Sequence, residues 1–178
     1  MPFPIIATLI LFLAVCAAID LRVRRIPDFV SGPAILAGIA LNGLYFGADG
    51  VGASLAGLVA ATAVLVAPFA LGGIGGGDVK MMGAVGALLG PRLALCGLVV
   101  GMLLGGLLMV AHLARRGRLR EKVAHTRAML AAAAVTGSLS PLRVSAADAG
   151  AIALPYSVPL GLGTLAVLAL RGTGRMCP

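Results

Sequence analysis

The sequence predicts an all-α fold: a polytopic membrane bundle of about six transmembrane helices in one integral-membrane domain, residues 1–178. Three observations carry that expectation. Hydrophobic residues make up 60% of the chain and charged residues 11%, where a soluble domain has about 45–50% and about 25%. The mean hydropathy is +1.09. The apolar mass is Ala, Leu, Val and Gly, with no Trp and 4% aromatics, a composition that suits helices packed closely in lipid. This composition excludes a soluble globular protein, a disordered chain and a coiled coil.

A spanning helix needs about 20 mostly apolar residues. Residues 3–19 are apolar and end at Asp20. Their Met-Pro-Phe-Pro start carries no positive charge, so they read as a span and not as a cleaved leader. Residues 29–46 follow a charged stretch, and 51–71 follow a short polar break, 47–50, in which Asp49 reads as a turn residue. Residues 81–90 are apolar but only about half a span long. Residues 93–113 are the cleanest span and 152–170 the last. The alanine-rich 127–135 is too short to cross and reads as interfacial, or as the continuation of a neighbouring helix.

The short segment decides the topology. If it crosses, Arg22, Arg24, Arg25, Lys80, Arg115, Arg116, Arg118, Arg120, Lys122, Arg127 and Arg143 share one face, leaving only Arg92, Arg171 and Arg175 of the 14 basic residues on the other. The positive-inside rule makes the basic face cytoplasmic. The net charge of +8 therefore reads as topology and contact with anionic lipid, not as a nucleic-acid surface. So short a crossing helix has to be sheltered by its neighbours.

Cys16, Cys96 and Cys177 form no CxxC pair, and His112 and His125 have no cysteine nearby, so no metal site and no disulfide framework is expected. The six acids are Asp20, Asp28, Asp49, Asp78, Glu121 and Asp148. Glu121 falls in the basic loop 115–127 and reads as solvated, Asp148 as a helix cap, and Asp28, after Ile26-Pro27, as the cap of the helix beginning near Phe29. Asp20 and Asp78 differ, because the six-span topology puts both at the cytoplasmic membrane edge. Two carboxylates brought together there share a proton, and such a pair can activate water with one member while the other polarises a carbonyl. On spacing alone, a membrane-edge anchor for Asp20 and an N-cap for Asp78 are equally good readings. The glycine run Gly72, Gly73, Gly75, Gly76 and Gly77 fits neither a dinucleotide fingerprint nor a P-loop. It reads as a flexible link, or as a place where a substrate backbone can approach Asp78. Lys80 reads as snorkelling to the interface or, as the second choice, as holding a neighbouring charge.

Three stretches together resemble the type IV prepilin peptidases. Gly75-Gly76-Gly77-Asp78-Val79-Lys80-Met81-Met82 is similar to the family's GxGD signature. Asp20-Leu21-Arg22-Val23-Arg24-Arg25-Ile26-Pro27-Asp28 is similar to its first aspartate box, and Leu154-Pro155-Tyr156-Ser157 to the Pro-Tyr element that opens its last span. The resemblance implies a membrane peptidase domain of aspartic type with catalytic Asp20 and Asp78. It implies substrate or loop roles for Gly75, Gly77, Lys80, Pro27, Pro155 and Tyr156, and no cofactor. The implied substrate is a prepilin with a basic leader and a hydrophobic helix, cut at the inner face of a bacterial cytoplasmic membrane, with pilus assembly machinery as a further partner. The chain departs from the family at Asp28, where Asn is usual, and at Ser157, where Gly is usual; neither departure is expected to touch the two aspartates. Without a cysteine-rich insertion the chain resembles the short, peptidase-only form of tight-adherence (Flp-type) systems, and no methyl transfer is expected. The readings from other classes are a small proton-coupled carrier and a non-catalytic membrane subunit of a pilus assembly machine.

Overall fold

A computed structural model describes residues 1–23, 26–117, 119–136 and 156–173. Every regular element among them is helical: α1 (Phe3–Val23), α2 (Asp28–Ala70), α3 (Gly76–Leu89), α4 (Pro91–Arg115), α5 (Leu119–Thr136) and α6 (Ser157–Gly172). The chain is an all-α membrane helix bundle, and α1, α2 and α4 are long and apolar enough to cross a bilayer.

The 43 residues of α2 would extend roughly 65 Å if straight, twice a hydrocarbon core. They fold back at Gly47, whose φ of 64° and ψ of −145° leave the helical region. The proof is a hydrogen bond from Ser54 Oγ to the Gly38 carbonyl, 3.4 Å, across a separation of 16 residues. A straight helix would hold those positions about 24 Å apart. α2 is thus a hairpin of two arms, residues 28–46 and 48–70, matching the two expected spans. The break is tighter than the four-residue loop expected at 47–50: only Gly47 turns, and Asp49 sits exposed in the first helical turn of the second arm.

α3 is the short element. Its 14 residues reach about 21 Å, less than the roughly 30 Å of a bilayer core. It is sheltered as expected, for everything from Met81 to Leu89 is buried. It lies in the mouth of the α2 hairpin, backbone against backbone. A Cβ on Gly38 would stand 2.8 Å from the Ala87 carbonyl carbon, and a Cβ on Gly57 or on Gly86 would collide with the other's carbonyl oxygen. The C-terminal carbonyls of α3 find a partner in lipid: the Asn42 amide donates to Ala87 O and Leu88 O at 3.1 Å each, and to Gly38 O at 3.0 Å. Such groups have no water to turn to, so an internal donor is required. Gly90, at φ 77°, then reverses the chain into Pro91, the first residue of α4.

α4 and α6 pack along a second glycine seam. Gly97, Gly101 and Gly105, one turn apart, face Thr164, Leu160 and Tyr156 in that order, so the helices are antiparallel; Gly163 fits against Gly101. α6 begins at Ser157 and runs to Gly172, two residues beyond the expected end. The expected start at 152–155 lies outside the described residues. The stretch 115–127 is corrected from a loop to helix over most of its length, since α4 runs to Arg115 and α5 begins at Leu119. The physical reason is composition: Leu, Arg, Lys, Glu and Ala are all good helix formers.

The Gly57–Gly86 contact yields a prediction. Gly57→Ala should lower the thermal unfolding midpoint in detergent, at a cost of about 1–3 kcal/mol from overpacking. Gly52→Ala, where an added Cβ meets nothing within 4 Å, should leave it unchanged. Equal midpoints for the two variants would contradict the backbone contact.

Candidate active site

Along α1 the buried positions are Ile5, Leu9, Phe12, Leu13, Cys16 and Asp20, a stripe at helical spacing whose last member is a carboxylate. Asp20 is 7% exposed. On α3 the corresponding face starts with Asp78, 9% exposed, and continues with Met81, Met82 and Val85. Asp78 is the third residue of its helix, after the cap Gly75, and the Gly75 backbone N–H points at its carboxylate. The cap is Gly75 itself, so the alternative of Asp78 as N-cap is excluded. An acid in the first turn is favoured by the helix dipole.

The two carboxylates line one cavity of about 370 Å³ together with Ile26, Gly75, Gly76, Gly77 and Lys80. Asp20 lies close enough to Asp78 to act on it electrostatically, and both act on Cys16, one turn before Asp20. Gly77 has no room for a side chain, because a Cβ there would stand 2.9 Å from the Ile26 backbone nitrogen. The glycines thus do two things: they let the segment after α1 lie directly on the start of α3, and they leave the cavity wall beside Asp78 bare. The link from α2 turns at Gly72, φ 77°.

Lys80 does not simply snorkel. Its Nζ pairs with Asp28 Oδ1 at the mouth of the cavity, where both side chains are exposed. This also corrects the expected role of Asp28. The cap position of α2 is Pro27, no side chain caps it, and Asp28 is the first helical residue, its carboxylate turned to the start of α3.

Of the residues singled out in the sequence, Asp20, Asp78, Gly75, Gly77 and Lys80 come together. Pro27 and Tyr156 are not part of the cavity wall. Pro27 starts α2, and Tyr156 packs on α4 beside Gly105, where it sets the entry of α6. Pro155 and Asp148 lie outside the described residues. Ser157, by contrast, was expected to have no contact with the aspartates, and it has one: its Oγ donates to Asp20 Oδ2 at 2.5 Å, across 137 positions in sequence. No local pattern announces that bond, which exists because the glycine seam on α4 brings the start of α6 to the end of α1.

Chemically, two buried carboxylates on one cavity with an aqueous mouth can take a proton from water with one member and donate a hydrogen bond with the other. The exposed Lys80–Asp28 pair is worth at most about 1 kcal/mol. Asp28→Asn should therefore shift the unfolding free energy by no more than that. A larger loss, measured by thermal unfolding in detergent, would mean that Asp28 holds the start of α3 in place.

The description of the type IV leader peptidase family matches residues 7–110, more than half of the chain, running from α1 into α4 and including both aspartates. No curated protein and no solved structure matches the chain.

Proposed function

The chain belongs to the type IV leader peptidase family, and from that premise we propose that it is an aspartic endopeptidase of a bacterial cytoplasmic membrane that cuts basic leaders from Flp-like prepilins, with Asp20 and Asp78 as its catalytic pair. The observation that carries this reading is the shared cavity of the two buried carboxylates at one end of the bundle. The helices that flank the cavity give its mouth a defined side. Asp20 ends α1, Asp28 begins α2, Asp78 begins α3 and Ser157 begins α6. The antiparallel seam puts the Arg115 end of α4 at this same end. That is the face the basic residues mark as cytoplasmic.

A prepilin fits such a site in two parts. Its apolar helix lies in the bilayer against the spans, and the bond to be cut, between helix and leader, comes to the membrane edge. The bare backbone of Gly75 to Gly77 allows an extended substrate strand to lie close to Asp78. The basic residues after α4 repel a basic leader and suit anionic lipid headgroups instead. Peptide cleavage is the only chemistry we assign.

Asp20→Asn and Asp78→Asn should each reduce cleavage of a co-expressed prepilin by roughly 10³-fold or more while membrane levels stay normal. Asn keeps the shape of the side chain but can neither take a proton nor hold the shared one. Asp49→Asn, exposed in the first helical turn after the Gly47 bend and so at the opposite end of the hairpin from Asp28, is the control and should cleave normally. Processing that persists in either dyad variant, read as a gel shift, would remove the catalytic assignment and favour a non-catalytic assembly role.

A further inference from the structure

The two carboxylates are not equivalent. Ser157 is 1% exposed, and its hydroxyl donates to Asp20 at 2.5 Å. On its other side it borders an apolar crevice walled by Leu13, Ala14, Ala17 and Gly161, so nothing polar competes for the hydroxyl proton. As the first residue of α6 it also turns the positive end of that helix's dipole toward Asp20. Among the described residues, no side chain donates a hydrogen bond to Asp78.

Resting on the peptidase reading above, we propose that Ser157 is a positioning residue that keeps Asp20 the ionised member of the pair, making Asp20 the base and Asp78 the acid. A hydroxyl donated to a carboxylate stabilises its charged form, and a charge-assisted bond of this length is a strong one. The order of proton transfers follows. Asp20 takes a proton from water as the water oxygen bonds to the scissile carbonyl carbon, and the Asp78 proton passes to the carbonyl oxygen. In the collapse, protonated Asp20 gives its proton to the amide nitrogen as the C–N bond breaks. A proton of the diol returns to Asp78. One water and one peptide bond become an acid and an amine, and the pair ends as it began.

Among the described residues, the other groups facing the pair are Cys16 on α1, Lys80 on α3 and, behind Lys80, Asp28 on α2. No residue of α4 lines the cavity, and α6 brings no charged side chain to it. These groups stay in place in a Ser157 variant, so a change in titration isolates the hydroxyl.

The test uses the purified full chain in detergent, with a leader-bearing pilin precursor as probe. In Ser157→Ala the charged form of Asp20 loses its donor, so Asp20 holds its proton to higher pH. The acid limb of kcat should rise by about one pH unit and kcat near that limb should fall about tenfold, with KM within twofold. Ser157→Thr, which keeps the hydroxyl, should restore both. Infrared titration of the carboxylic acid stretch, taken as a difference against Asp20→Asn, reads the same shift without any substrate. An unmoved acid limb and infrared midpoint in Ser157→Ala, with wild-type cleavage intact, would overturn the Ser157 assignment alone. So would an equal shift in Ser157→Thr, which would make the effect one of packing. An infrared shift without cleavage by any variant, wild type included, would overturn the peptidase reading and the base assignment with it.

Discussion

Backbone-to-backbone packing at glycine is the constraint on which the rest of this bundle depends. Lipid supplies no hydrophobic force between helices, so they must be held by close contact and internal hydrogen bonds. At Gly57 and Gly86 the approach is so close that neither position can carry a side chain. This contact lets a 14-residue helix that could not cross alone sit inside the α2 hairpin, and Asn42 closes its far end by taking up its carbonyls. The seam of Gly97, Gly101 and Gly105 does the same for α6. Asp78 is carried on the first of these helices and Ser157 on the second, so the geometry around both carboxylates is set by contacts remote from them.

The site that results combines burial with access. A carboxylate at the end of an apolar stripe is costly unless it meets water, a donor or a partner. Asp20 meets the Ser157 hydroxyl and Asp78 the Gly75 N–H, and both face the same cavity. Lys80 lines that cavity too, but its charge is engaged by Asp28 at the mouth. On the peptidase reading proposed above, such a pair would balance its charge by sharing a proton, the state that acid–base chemistry on a peptide bond requires.

Much of the fold was legible in the sequence because bilayer thickness imposes a length on every span. The ends of α1, of both α2 arms and of α4 fall within a few residues of the composition breaks. The burial of α3 followed from its being too short to face lipid. The six-span topology put Asp20 and Asp78 at one membrane edge, and they do line one cavity, but spacing alone left an anchor and a cap as equally good readings, and the catalytic roles came from the motif resemblance. What sequence could not supply was pairing between distant helices. Asp28 has the look of a helix cap, yet its partner is a lysine 52 positions away. Ser157 looks like a neutral departure until the α4–α6 seam places it on Asp20. Asn42 gives no local sign that it closes α3, because its acceptors are carbonyls of another helix. The basic stretch after α4 was read from its charge as a loop, whereas its helix-forming residues decided its backbone as α5.

The central claim, that Asp20 and Asp78 hold one proton between them and both use it, is tested most directly by the full pH dependence of cleavage by the purified wild-type chain. A pair with one base and one acid gives a rate that falls on both sides of an optimum, the two limbs belonging to the pair as a whole. The account predicts that bell, with activity lost well below neutrality as the base is protonated. A rate that keeps rising down to strongly acidic pH would contradict an ionised base and with it the shared-proton pair.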